Sequence, residues 1–306
     1  MSIDPQSALA LASVAECGTL EQAAQELHIT PSAVSQRLKQ LEQQLGQRLL
    51  VRSRPVRITE AGEAVVRFAR RYAVLEHDAE AALGLDGRGA APRLTIAVNS
   101  DSLATWFLGA LARFTQRHPA QVEVVREDQD VTARLLATGA AVAAVTSSSS
   151  PSPGCSVTAL GSLSYTSMAA TTWWERWVGD PRDPDPASVT PEVLTRAPRV
   201  DFDRSDELQA HWLHERGVDP ASAPVHHVPS THDLARAVEL GLGWAMLLEG
   251  QGIDMQERGV GVPLGGGALT TPLYWQVART PSTLLGGLTE AVVAVAQETL
   301  LRPSAR

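Results

Sequence analysis

Cysteine is nearly absent. Cys17 and Cys155 are the only two in 306 residues, too few for a disulfide framework or a cysteine-based zinc module. No apolar run approaches the ~20 residues that span a bilayer. The opening Met1-Ser2-Ile3-Asp4-Pro5 also lacks the basic stretch and apolar core of a secretion signal. These absences predict a cytoplasmic protein with reduced thiols and no membrane partner. Catalytic signatures are missing too. There is no Gly-x-Ser-x-Gly elbow, and Gly265–Gly267 lacks the Lys and Ser/Thr of a phosphate loop. His211 and His214 lie three apart, with His118, His226, His227 and His232 elsewhere, but no cysteine or acid stands at metal-ligand spacing from them. The expectation is no metal, no cofactor and no enzyme.

What is present is unevenly charged. The chain is 44% hydrophobic and 20% charged with a net charge of −8, long enough for two or three folding units. Positions 37–71 hold nine basic residues (Arg37, Lys39, Arg48, Arg52, Arg54, Arg57, Arg67, Arg70, Arg71) against Glu42, Glu60 and Glu63. That window carries +6, so the remainder carries −14. A small basic module on a larger acidic body is the charge plan of a tethered nucleic-acid reader.

Pattern divides the chain into three. Residues 1–59 have helical spacing with short breaks, and the stretch from 60 runs without Gly or Pro after Gly62 until Gly84. Gly84, Gly87, Gly89 and Pro92 then break the chain. From 92 to 306, β-like runs such as Leu94–Val98, Val122–Val125 and Val142–Val145 alternate with helical stretches, which indicates an α/β body with a mostly parallel sheet.

In the first region, Thr19 and Gln22 fit a capping box that starts a helix at Leu20. Thr30 suits the N-cap of a second helix and Pro31 its first position. Val34, Leu38, Leu41 and Leu45 form one buried stripe, leaving Ser32, Ser35, Gln36 and Lys39 on the opposite face. Two helices joined by a short turn, the second with polar donors near its start, make a helix-turn-helix. Gln36 can pair with a base edge, while Thr30, Ser32, Ser35 and Lys39 reach bases or phosphates. An ordinary helical hairpin with a solvated face is the bland alternative. Against it, Leu49–Val51 and Val56–Ile58 can pair as a wing that sets Arg52, Arg54 and Arg57 along phosphates.

The run from Glu21 to Glu42, with Leu49–Arg52 and Thr59-Glu60-Ala61-Gly62, resembles the winged helix-turn-helix of LysR-type transcriptional regulators. Asn99–Trp106, Phe202–Gln209 and Ala237–Trp244 are similar to the branch that controls lysine and arginine export (the ArgP/LysG type). The resemblance implies an N-terminal, all-α winged helix-turn-helix, a long linker helix, and a C-terminal α/β body of the two-lobed periplasmic-binding-protein-like kind. The implied divisions are 1–59 for DNA binding, 60–91 for the linker helix and hinge, and 92–306 for the effector. Lobe one is then 92–161 plus 268–301 and lobe two 162–267, with Gly161-Ser162 and Gly265–Gly267 near the crossings. The partners it implies are double-stranded, dyad-symmetric DNA, a small effector (lysine, arginine or histidine) and further copies of the chain as dimer and tetramer; RNA polymerase is a further candidate.

Residues then sort into roles. Ala61, Val65, Phe68, Tyr72, Leu75, Ala79 and Ala82 step by four and three, a heptad seam for a paired helix; packing on its own domain is the competing reading. Ligands in open α/β sheets bind beyond the carboxyl ends of strands. The strand ending at Val98 delivers Ser100, Asp101 and Ser102 to that edge, and Thr146 follows another strand, so these hydroxyls are donors for a carboxylate or simple caps. A cationic side chain requires carboxylates: Asp128, Asp203 and Asp206 are the candidates, each with a surface or capping role as the alternative. Trp106 can flank the ligand's stem. Ser230 is a further donor, with a plain N-cap the better reading. A rival from another class is an amino-acid-binding or catalytic α/β protein whose helical head only mediates assembly.

Overall fold

The computed structural model describes residues 2–51, 53–85, 91–126 and 129–302, with backbone only at 129 and 130. Arg52 and Asp128, both singled out above, lie outside the described residues.

The head opens with α1 (Pro5–Cys17), α2 (Leu20–Glu26) and α3 (Pro31–Leu45). Each starts where the sequence supplies a cap: the side chains of Asp4, Thr19 and Thr30 accept from the N–H groups of Ser7, Gln22 and Ala33, satisfying donors that the first helical turn leaves free. Between α2 and α3 His28 takes a positive φ of 52°, which closes the turn. Strands β1 (Leu50–Val51) and β2 (Arg57–Ile58) pair antiparallel, Leu50 opposite Ile58; they are the expected wing. Then comes α4 (Glu60–Ala82). Val34, Leu38 and Leu41 are buried together with Ala8, Leu11, Val14, Leu49, Val65 and Val66, while Leu45 packs half-buried at the edge.

The chain forms two compact units. One comprises Met1–Asn99, Phe107–Ala159 and Tyr274–Ala296; the other Ser100–Trp106, Leu160–Leu273 and Gln297–Arg306. Besides the head and α4, the first unit holds an α/β lobe. Its β3 (Arg93–Val98) runs parallel to β4 (Gln121–Arg126) and β5 (Ala143–Thr146). The chain enters the second unit briefly through α5 (Ser100–Thr105) and returns for α6 (Phe107–Thr115) and α7 (Gln129–Thr138). The inner strands β3 and β5 are mostly apolar and buried, as strands covered on both faces are, with Leu94, Ile96, Ala97 and Val98 fully buried, whereas β4 at the sheet edge is half polar and only partly buried.

The second unit begins inside β6 (Cys155–Ala170) and continues through α8 (Thr171–Trp177), α9 (Pro191–Arg196), β7 (Arg199–Asp201), α10 (Leu208–His214), β8 (Val225–His227), α11 (Thr231–Glu239), β9 (Ala245–Leu248), α12 (Glu249–Glu257) and β10 (Gly261–Pro263). There β6 pairs antiparallel with β9 and β10, and β7 runs parallel to β8. Met168, Val200, Leu234, Val238, Ala245, Leu247 and Met255 form its buried centre. The chain returns to the first unit inside β11 (Leu269–Ala278), whose later half pairs antiparallel with β5, and α13 (Thr283–Thr299) follows.

Besides the brief excursion through α5 and the end of α13, the chain passes between units within two strands, at 159/160 and 273/274. Gly161 stands beside the first, whereas Gly265–Gly267 precede β11 and the first two pack against Pro186 and Arg216. The linker seam also divides. Val65 is 4% exposed inside the head's own core, so it is not a seam residue; Phe68 and Leu75 are 36% and 41% exposed.

Candidate nucleic-acid interface and effector site

At the start of α3, Thr30, Ser32, Gln36 and Lys39 are exposed and Ser35 is half-buried. Periodicity produces this face: burying Val34, Leu38 and Leu41 turns positions 32, 36 and 39 outward. The Thr30 hydroxyl is engaged by Ala33 N–H at 3.2 Å and by the Ser32 hydroxyl at 2.9 Å, so Thr30 sets the helix start. Arg54 and Arg57 are exposed on the wing.

The wing is held against α3 by Glu42, which accepts from Leu49 N–H at 2.8 Å. Thr59 closes its other side: its hydroxyl donates to Arg48 O at 2.7 Å and its N–H to Leu49 O at 3.0 Å. The motif contains Glu42, but sequence reasoning gave it no role, because only the fold shows which backbone it meets. On the expectation that Arg57 meets a phosphate, Arg57→Ala should lower the slope of log affinity against log salt by about 0.9 with little change in sequence preference. Gln36→Ala should instead relax discrimination at one base pair by about 1–3 kcal/mol. Fluorescence anisotropy over a salt series, on matched and mismatched duplexes, separates the two.

In the second unit a polar cluster forms around Tyr165, which is 5% exposed. Its hydroxyl donates to Asp101 Oδ2 at 2.6 Å, and the Thr231 hydroxyl donates to Asp101 Oδ1 at 2.7 Å. Burial first, then the charge and hydrogen bond of Asp101 and the charge of Asp206, push the Tyr165 phenol far above its usual range. It therefore stays a protonated donor. Burial also raises Asp206, although Phe202 and Leu208 N–H groups donate to its carboxylate at 2.9 and 3.1 Å. The nearby Asp201 is matched by Arg199 at 2.9 Å. Asp101 and Asp206, by contrast, accept from these neutral donors beside a buried phenol.

The other expected effector residues fall differently. The Asp203 carboxylate accepts from the Ser205 N–H and hydroxyl at 2.8 and 2.7 Å, and those bonds draw it below the usual range. Ser230 is the N-cap of α11, accepting from Asp233 N–H at 3.3 Å. Thr146, in the first unit, accepts from Ser148 N–H at 3.2 Å. Ser100 is half-buried at the start of α5, whereas Ser102 and Trp106 are buried at 0% and 3% exposure, so Trp106 offers no open face for stacking. Sequence reasoning brought Asp101 to the sheet edge without assigning it a partner. It missed Tyr165 and Thr231, since a mid-strand tyrosine and a helix-start threonine look like ordinary core and cap. A separate cavity of about 480 Å³ opens between α11 and α12; its Arg236 and Arg258 are both matched by Glu239.

A winged helix-turn-helix, a long helix and an α/β body in two units are the parts of a ligand-responsive transcription regulator. Residues 6–63 match the bacterial regulatory helix-turn-helix protein family of the lysR type, and residues 87–300 the LysR substrate binding domain. The chain belongs to the LysR family of DNA-binding transcriptional regulators. It is 39% identical over 298 residues to the HTH-type transcriptional regulator LysG of Mycobacterium tuberculosis, covering 96% of this chain and 95% of that protein. It is 38% identical over 289 residues to the lysine export transcriptional regulatory protein LysG of Corynebacterium efficiens, covering 94% and 96%. The solved structure of full-length LysG from Corynebacterium glutamicum with bound effector arginine superposes with a TM-score of 0.73 at 35% identity, covering 98% of this chain and all of that one.

Proposed function

We propose that this regulator acts in the cytoplasm, without enzymatic activity, as a sensor of a basic amino acid that controls an exporter gene. The observation that carries the reading is the pair Asp101 and Asp206 beside Tyr165. A buried guanidinium or ammonium requires carboxylates, and these two are held by neutral donors. The relatives, one named for lysine export and one solved with arginine, support the same ligand class. The alternative of a head that only mediates assembly is set aside, because the head itself matches the family of bacterial regulatory helix-turn-helix proteins.

Two recognition helices on a dyad-related site require a dimer. Phe68, Tyr72, Leu75 and Ala79 form the seam offered for it, each half-buried or exposed in the single chain. Replacing Phe68 and Leu75 by Glu should give monomers at low micromolar concentration by sedimentation, with weaker DNA binding; dimers persisting there would remove the seam.

Thermal melting against the twenty amino acids tests the effector. A ligand at ~100 times its dissociation constant adds about 2.7 kcal/mol of stability. A selective rise with lysine, arginine or histidine is expected, and no rise with any of them would refute the basic-effector reading.

A further inference from the structure

Of the 26 lysine and arginine residues in the chain, 25 are arginine, and the single lysine is Lys39. It is exposed on the outward polar face of α3, one turn beyond Gln36. Both residue types carry positive charge, but their chemistry differs. A guanidinium stays protonated, whereas an amine can be acylated and then loses its charge. Amine-directed acylation therefore finds one side chain in 306 residues. That side chain stands on the helix that a helix-turn-helix sets in the major groove.

Its surroundings leave this amine open to attack a small electrophile. Gln36, Gln40 and Gln43 beside it are exposed and uncharged. Glu42, the one acid within four residues of it, is turned to the wing, where it accepts from Leu49 and Leu50 N–H at 2.8 and 3.5 Å. Among the described residues no carboxylate pairs with Lys39. Arg48, Arg54 and Arg57 are exposed on the same head. The positive field that gathers DNA phosphates there also gathers a small anionic acyl donor.

We infer that Lys39 is an acylation site, with an acyl phosphate as donor, and that its modification switches DNA binding off. The unprotonated Nζ attacks the acyl carbon and a C–N bond forms. The C–O bond to phosphate breaks, phosphate leaves, and the nitrogen gives its extra proton to water. The resulting amide is neutral and longer than lysine. It removes a cation from the face of α3 and sets an acyl group where a phosphate or base edge would lie. The helix itself is untouched, because its buried stripe is Val34, Leu38 and Leu41. This switch acts at the head and is independent of the effector reading above.

The test incubates the full-length protein, wild type, Lys39→Arg and Lys39→Gln, with acetyl phosphate and maps the products by peptide mass. Lys39 should be acetylated at least as fast as a reference peptide with one lysine in the same tube; a slower rate would overturn the site. DNA affinity is read by fluorescence anisotropy on a duplex that the wild type selects from a random-sequence pool, each protein compared with itself before and after treatment. Acetylation should weaken wild-type binding about tenfold, the loss expected of one charge-assisted contact. Neither variant can form the amide, so neither should respond to treatment, and untreated Lys39→Gln should bind as weakly as acetylated wild type. Circular dichroism melting should be the same for wild type before and after acetylation. Unchanged DNA affinity in wild type acetylated at Lys39, or an equal loss in treated Lys39→Arg, would overturn the switch. A wild type that ignores every basic amino acid but loses DNA affinity on acetylation refutes the effector reading and supports the switch.

Discussion

Asp101→Asn should weaken binding of L-arginine and L-lysine by at least ~30-fold while leaving DNA affinity without effector unchanged. Asn keeps the size of the carboxylate, and the Tyr165 and Thr231 hydroxyls, which donate to it now at 2.6 and 2.7 Å, can rotate to accept from an amide. The fold therefore survives and the charge alone is lost. Truncating one partner of a buried charged pair costs about 2–5 kcal/mol, and every 1.4 kcal/mol is tenfold in affinity. Asp206→Asn should cost a similar amount. The double variant should lose less than the two combined, since groups that share one partner are not additive. Titration calorimetry decides it: an unchanged dissociation constant in both single variants would take the cation elsewhere.

The sign of the pH dependence follows from the same groups. Burial raises Asp206, and a cationic ligand favours its ionised form, so affinity should rise with pH through that raised value and level off above it. Tyr165 adds no step below neutral pH, because burial and Asp101 keep it protonated. An affinity that climbs on acidification would contradict the assignment.

Gly62→Ala should destabilise the head by about 2 kcal/mol or more and abolish operator binding with it. A methyl group there would overlap the Leu49 carbonyl oxygen and stand 2.7 Å from Ile58 Cγ2. Both belong to the wing or its immediate approach, so relief requires moving α4 off it. Overpacking typically costs about 1–3 kcal/mol, and backbone in the way puts this site at the upper end. Alanine's better helix propensity returns only about 1 kcal/mol. Gly46→Ala is the contrast. That glycine sits at φ +68° with nothing within 4 Å, so its cost is the left-handed backbone alone, roughly 1–2 kcal/mol. Thermal unfolding by circular dichroism should rank Gly62→Ala below Gly46→Ala, and the reverse order would show that the wing yields.

Much of the head was legible in the chain because its signals are local. Thr19, Thr30 and Pro31 name their own helix starts, and the stripe of Val34, Leu38 and Leu41 leaves one possible reading face for α3. The wing was legible as two short apolar runs flanking Ser53-Arg54-Pro55. The seam of α4 was only half so. Phe68 and Leu75 stay at the surface, but Val65 is consumed by the head's core, and no pattern along one helix shows which turns a neighbouring domain already covers.

The proposed effector site shows the limit more sharply. Asp203 and Ser230 were readable as polar residues at element ends, and the structure uses both for local hydrogen bonding. The Asp101 carboxylate meets donors 64 and 130 residues away, a pairing that no spacing in the sequence encodes. By itself, then, the sequence determined the helix starts, the outward polar face of α3, the charge division and the family, since each depends on residues within one or two turns of each other. Only the tertiary structure decided that Asp101 joins Tyr165 and Thr231, and that Gly62 must lack a side chain. Those are contacts between distant segments, and the energy that selects them is the packing of the whole chain.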